Sequence, residues 1–142
     1  MKWDRLIQAT YFLLRVVAGL LFMQAGGTKV FGWFDMLPKE MYPNGTVPLL
    51  SQAGIGGLLE LVGGALILVG LLTRPVAFIL SGEMAVAYWQ FHFTRTSWWP
   101  AQNQGELAVL FCFIFLFMAA YGGGEWSLDA LIWRKRKVPP AA

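Results

Sequence analysis

Four apolar segments, each close to the length that crosses a bilayer as a helix, constrain this chain more than any other feature. A hydrocarbon core of roughly 30 Å needs about 20 apolar residues in helical form, and the segments fall at approximately 6–31, 52–72, 75–94 and 104–121. Composition agrees, because 57% of the 142 residues are hydrophobic and only 13% are charged, roughly half the charged share usual in soluble domains. The expectation is an all-α integral membrane protein, a single domain over residues 1–142, with the spans packed as an up-down-up-down four-helix bundle. The first segment starts with Lys2 and Arg5 and reaches Ala25, Gly26 and Gly27, as a signal peptide would. Arg15 interrupts it and hydrophobicity runs past any cleavage site, so it reads as a retained span.

Charge supplies the orientation. The net charge is +3, and its densest run, Arg134, Lys135, Arg136 and Lys137, follows the last apolar region; Lys2, Arg5 and Arg74 fall on the same side. Lys39 and Arg95 sit on the other. Lys and Arg collect in the cytoplasm, which places both termini inside a bacterial plasma (inner) membrane. A basic run in that position flanks a lipid bilayer, and nucleic acid is not expected as a partner. Trp33, Phe34, Trp98 and Trp99 gather at the outer ends of spans one and three, at headgroup level. The outer connection between the first two spans contains Pro38, Pro43, Asn44-Gly45 and Pro48. It is too broken for a helix and is expected to fold over the outer mouth. Ser127 is a fitting N-cap for a short cytoplasmic interfacial helix over 127–137, with Leu128, Leu131, Ile132 and Trp133 as its apolar side.

Soluble-enzyme motifs are missing: there is no phosphate loop, nucleophile elbow or paired-histidine metal motif. Cys112 is the one cysteine, which excludes an intramolecular disulfide, and a lone histidine, His92, lacks the partners of a metal site. Chemistry is left to the polar residues inside the spans: Arg15, Gln24, Glu60, Glu83, Gln90, His92 and Glu106. A charge near the bilayer centre costs roughly 2.5–3.5 kcal/mol on insertion scales, so such groups face the bundle interior and find partners. Counted from the cytoplasmic ends at about 1.5 Å per residue, Arg15 and Glu83 fall about 12–14 Å deep, Glu60 about 18 Å, and Glu106, Gln90, Gln24 and His92 roughly 22–27 Å. Equal depth makes Arg15 and Glu83 the expected structural ion pair. Lys29, Glu60, Gln90, His92, Glu106 and Gln24 are the candidate pocket, with Glu60, Glu106 and His92 as candidates for proton chemistry. Arg74, Asp129 and the run Arg134 to Lys137 form a candidate cytoplasmic dock.

The stretches L13-LRVVAGLLFMQAGGTKVFG-32, G57-LLELVGGALILVGLLTR-74, G105-EL-107 and W126-SLDALI-132 together resemble the DoxX family of small membrane proteins. Family-like motif positions here are Arg15, Lys29, Glu60, Arg74, Glu106 and Asp129. Two departures stand out: Met-Gln-Ala-Gly-Gly where many members carry a histidine before the glycine, and Glu83 outside the motifs. The resemblance implies four helices in the plasma membrane and an oxidoreductase label. It also implies kinship with the membrane subunit of thiosulfate:quinone oxidoreductase, and hence quinone as a cofactor. Three functions stay open. One is a quinone-linked membrane redox component with a soluble redox partner on the cytoplasmic side. The second is a proton or small-molecule permeation protein, for which four helices would require a homo-oligomer. The third is a membrane anchor for a soluble enzyme.

Overall fold

The computed structural model describes residues 2–93 and 97–134, and no strand occurs among them. Helix α1 runs Lys2–Phe31, α2 Gln52–Val69, α3 Thr73–Ala87, α4 Pro100–Asn103, α5 Glu106–Tyr121 and α6 Leu128–Arg134. A 3-10 turn at Trp33–Asp35 follows α1, and a π turn at Tyr88–His92 prolongs α3. Among the described residues two helices are long and apolar enough to cross a membrane, Trp3–Phe31 and Gln52–Val69, while α5 is apolar but shorter. The outward surfaces of α1, α2, α3 and α5 expose Leu13, Val17, Val62, Phe78, Ile79, Leu110 and Phe113. Apolar exposure on that scale marks a surface for lipid or a partner rather than water.

Two helix pairs make the body: α1 lies along α2, α3 lies along α5, and a smaller contact joins α2 to α3. Glycine sets the first pairing. A β-carbon on Gly19 would stand 2.7 Å from the Leu68 nitrogen, and one on Gly64 would stand 2.6 Å from the Met23 nitrogen. Gly26 meets the backbone of Gly57 and Leu61 still more closely. Small residues at such positions let two helical backbones touch. Gly26→Val is therefore expected to cost at least about 2 kcal/mol by overpacking, read as a lower thermal midpoint in detergent. Gly82→Val, where nothing lies within 4 Å of the added carbon, is the tolerated control.

The glycine contacts fix an antiparallel register that brings Arg15 beside the end of α2 and Lys29 beside Gly57. Helix α2 starts at Ser51, whose hydroxyl accepts the Gly54 N–H at 3.1 Å. It ends at Gly70 in the left-handed region (φ 70°), with the Leu71 N–H bonded to the Leu66 carbonyl at 2.9 Å. Leu72 is left-handed as well (φ 51°), a conformation costing about 1–2 kcal/mol for a residue with a β-carbon. Asp129 offsets that cost: its carboxylate accepts the Leu72 N–H at 2.8 Å and the Thr73 N–H at 2.9 Å, capping α3 from a segment 56 residues away. Helix α5 stops at Gly122 (φ 91°, ψ −166°), a backbone state open essentially to glycine.

The core lies in the half of the body nearest this α2–α3 turn, where Ile67, Ala77, Leu80, Phe115 and Met118 are at most 1% exposed. Phe22 of α1 packs edge-to-face on Phe115 and Phe111 of α5, with ring centres 4.5 and 4.9 Å away. At the opposite end, residues 32–51 fold back over α1, where buried Val47 donates its N–H to the Lys29 carbonyl at 2.9 Å.

Candidate functional site

Above the Phe22–Phe111–Phe115 cluster the two helix pairs separate around a cavity of about 650 Å³. Its walls are mostly apolar, from Leu21, Phe22 and Ala25 of α1, Met84 and Ala87 of α3, Phe91, and Leu107, Ala108 and Phe111 of α5. Lys29, Gln52, Glu60, Glu83 and His92 supply the polar lining.

Lys29 and Glu60 are paired. The ammonium Nζ lies 2.7 Å from Oε1 and 2.8 Å from Oε2, so one donor group engages both carboxylate oxygens. Helical side chains lean toward their own N-terminus, and in antiparallel helices that tilt brings Lys29 and Glu60 toward each other across the Gly57 contact. The Glu60 side chain is only 6% exposed, so without the lysine its charge would be buried and uncompensated. Glu83 reaches the same level from α3, its Oε1 3.1 Å from the position of a β-carbon on Gly56. Its Oε2 is buried and has no hydrogen-bond partner. Glu83 lines the same cavity as Glu60 and Lys29.

His92 enters through the π turn. At α-helical spacing, nine residues carry a side chain about 180° around the axis, so His92 would face away from Glu83. The wider π turn, closed by the Phe93 N–H on the Tyr88 carbonyl at 2.8 Å, removes part of that rotation, and His92 joins the cavity wall. Its Nδ1 lies 3.1 Å from the Asn103 carbonyl oxygen. A carbonyl only accepts, so Nδ1 is the donor in this contact.

The expected Arg15–Glu83 ion pair is not formed. Arg15 is 1% exposed, and its Nη1 donates to the Ile67 and Leu68 carbonyls, both at 2.8 Å, while Nη2 donates to the Trp126 carbonyl at 2.6 Å. It caps the C-terminus of α2, where a cation meets free carbonyls and the negative end of the helix dipole. The two side chains stand at different levels because α1 has 30 residues, about 45 Å, and its first turns extend past the α2–α3 turn. Measured from that turn, Glu60 and Glu83 each stand ten residues away, about 15 Å.

Three more expected pocket residues lie elsewhere. Glu106 is exposed in the first turn of α5, a position where the helix dipole favours an acid. Gln24 is exposed on α1, its carbonyl accepting the Thr28 hydroxyl. Gln90 is exposed and accepts a hydrogen bond from Gln52, tying the π turn to α2. The dock is corrected in part. Arg74 donates to the Ala120 carbonyl at 2.8 Å and more weakly to those of Ala119 and Tyr121, capping α5, and Asp129 is committed to the α3 cap. Lys135, Arg136 and Lys137 lie outside the described residues, as do Arg95 and the last residue of the expected third span, Thr94. Among the described residues, no three His, Cys, Asp or Glu side chains are grouped to hold a metal ion.

Sequence reasoning missed Glu83 as a cavity residue. The signal was present, since Glu60 and Glu83 are placed symmetrically about the Gly70–Thr73 turn. Phe22 was legible, since a seven-residue period puts it on one helix face with Arg15 and Lys29; Gln52, Phe111 and the remaining apolar walls carry no signal of their own.

Comparison with known proteins identifies the family. The DoxX family model matches residues 10–93, which include Arg15, Lys29, Glu60, Arg74 and Glu83. An uncharacterised protein of Haemophilus influenzae is 39% identical over 132 residues, covering 88% of this chain and 93% of the relative. An uncharacterised membrane protein of Mycobacterium tuberculosis is 30% identical over 144 residues, covering 90% of this chain and 86% of the relative. No solved structure matches. With its apolar outer surface and this match, the chain is a membrane protein and belongs to the DoxX family.

Proposed function

We propose that the protein is a plasma-membrane component of a quinone-linked redox system, whose cavity holds a quinone headgroup at mid-depth and handles its protons. In this reading α1, α2, α3 with its π turn, and α5 each cross the bilayer, and both termini are cytoplasmic. The α2–α3 turn then lies at the cytoplasmic surface. The carrying observation is one apolar cavity of about 650 Å³ holding a bonded Lys29–Glu60 pair beside Glu83. That size lies in the range of small-molecule sites, and about 15 Å from the turn is the middle of a hydrocarbon core of roughly 30 Å.

The donor set fits a quinone headgroup. Lys29 can donate a hydrogen bond to a carbonyl, a protonated carboxyl at Glu83 can do the same, and His92 of the π turn offers a second proton carrier in the cavity wall. Apolar walls accept the ring and its tail. A quinone takes up two electrons and two protons in becoming a quinol, so groups that hold protons beside its oxygens are chemically apt. The electrons would come from a soluble partner.

The aromatic floor of Phe22, Phe111 and fully buried Phe115 supports a dead-end binding site over a continuous proton or solute path. The internal engagement of Arg74 and Asp129 likewise favours a site over a simple anchor. The test is extraction of bound lipids from protein purified in mild detergent. Wild-type protein is expected to retain a quinone, and Glu60→Gln or Glu83→Gln to lose most of it, whereas Glu106→Gln retains it. Wild-type protein carrying no quinone, with quinone-dependent activity in cells unchanged by both cavity substitutions, would sink the reading.

A further inference from the structure

The charges facing the cavity do not balance. Helix α1 contributes one cation, Lys29; α2 contributes Glu60; α3 contributes Glu83; the π turn contributes His92; and α5 lines it with Leu107, Ala108 and Phe111, none of which titrates. Lys29 is already engaged with both oxygens of Glu60. Glu83 is therefore an acid in excess, with a buried oxygen that has no hydrogen-bond partner. A carboxylate in such surroundings resolves its cost by taking either a proton or a counter-cation.

We infer that the cavity binds lipophilic organic cations, with Glu83 as their counter-charge and the proton on Glu83 as their competitor. The walls select the kind of cation. A small hydrated metal ion needs several oxygen ligands, and among the described residues no three His, Cys, Asp or Glu side chains are grouped to supply them. A bulky, weakly hydrated cation needs apolar contact and aromatic faces, which attract positive charge. Phe22, Phe91 and Phe111 provide them. The rim is apolar too: Leu21, Val86, Phe91 and Leu107 are each about half exposed or more. Exchange conserves charge, because one monovalent cation enters as one proton leaves Glu83. This inference uses only the cavity's shape and charge and does not require that a quinone bind there.

The experiment is calorimetric titration of the full-length protein in mild detergent with tetraphenylphosphonium, in buffers of different ionisation enthalpy. Saturable binding is expected, with about one proton released per cation when Glu83 starts protonated, and affinity falling up to about tenfold per pH unit on the acid side. Glu83→Gln is expected to weaken binding at least tenfold while helical circular dichroism and elution volume stay unchanged. Glu106→Gln, outside the cavity, is expected to bind as wild type, which controls for detergent partitioning. Absence of saturable binding overturns the inference, as does binding that ignores both pH and Glu83→Gln. Quinone content is measured on the same preparations and the titration is run on quinone-extracted protein: extracted protein that binds no cation overturns this inference, while quinone retention by the unextracted protein leaves the quinone reading standing.

Discussion

Arg15→Met is expected to destabilise the protein by about 3 kcal/mol, the scale of losing charge-assisted hydrogen bonds to buried groups, and to lower its thermal midpoint in detergent. The guanidinium satisfies the Ile67, Leu68 and Trp126 carbonyls at once. It is the one side chain bonding α1 both to the end of α2 and to the segment before α6 among the hydrogen bonds described. Methionine keeps much of the apolar volume but leaves three acceptors and the negative end of α2 without a donor. Lysine, with one compact ammonium in place of a planar fork, is expected to recover only part of the loss. Glu83→Gln is expected to change stability far less, and its effect should add to that of Arg15→Met, since the two sites share no partner. Equal losses from the two single variants, with no further loss in the double, would instead restore an Arg15–Glu83 ion pair.

Lys29→Met is expected to cost about 3 kcal/mol, the low end for breaking a buried pair, because the lysine side chain is 32% exposed while Glu60 is 6% exposed. The cost arises from what is left behind, a carboxylate in an apolar wall. Removing that carboxylate as well should therefore help: Lys29→Met with Glu60→Leu is expected to regain most of the stability, since a buried pair is often replaceable by apolar side chains of similar size. A double-mutant cycle on thermal unfolding measures the coupling. If the double variant is as unstable as the sum of the singles, the two residues do not act as a pair. The stabilised double variant should nevertheless lose quinone retention, which separates holding the fold from serving the site.

The all-helical class was legible because long apolar runs need only a count, and the cavity's acids were legible as misfits within those runs. Their partners were not. Arg15 and Glu83 seemed level because both were counted from the ends of their own segments, and nothing local in α1 reveals that its first turns run past the α2–α3 turn. Glu106 was placed in the pocket by its depth, level with Gln24, Gln90 and His92; one helix face decides otherwise, and that face depends on how α5 rotates against α3. His92 depends on a π turn, whose one extra residue per closure leaves no clear mark in the residues Tyr88 to His92. Asp129 looked like surface charge, and its role as the α3 cap becomes visible only when α6 folds back on Leu72 and Thr73.

Taken alone, the residues determine the solvent, the long helices and the presence of costly polar groups, because hydropathy and helical period act over neighbours in the chain. Tertiary structure decides which of those groups meet. Backbone contact at Gly19, Gly26, Gly57 and Gly64 sets the sliding register of α1 on α2, and that register hands Glu60 to Lys29, assigns Arg15 to the carbonyls of α2, and leaves Glu83 facing the cavity without a cation of its own. Register between helices is a long-range quantity, fixed by packing rather than by local preference, and here it separates the residues that close the fold from those that line the site.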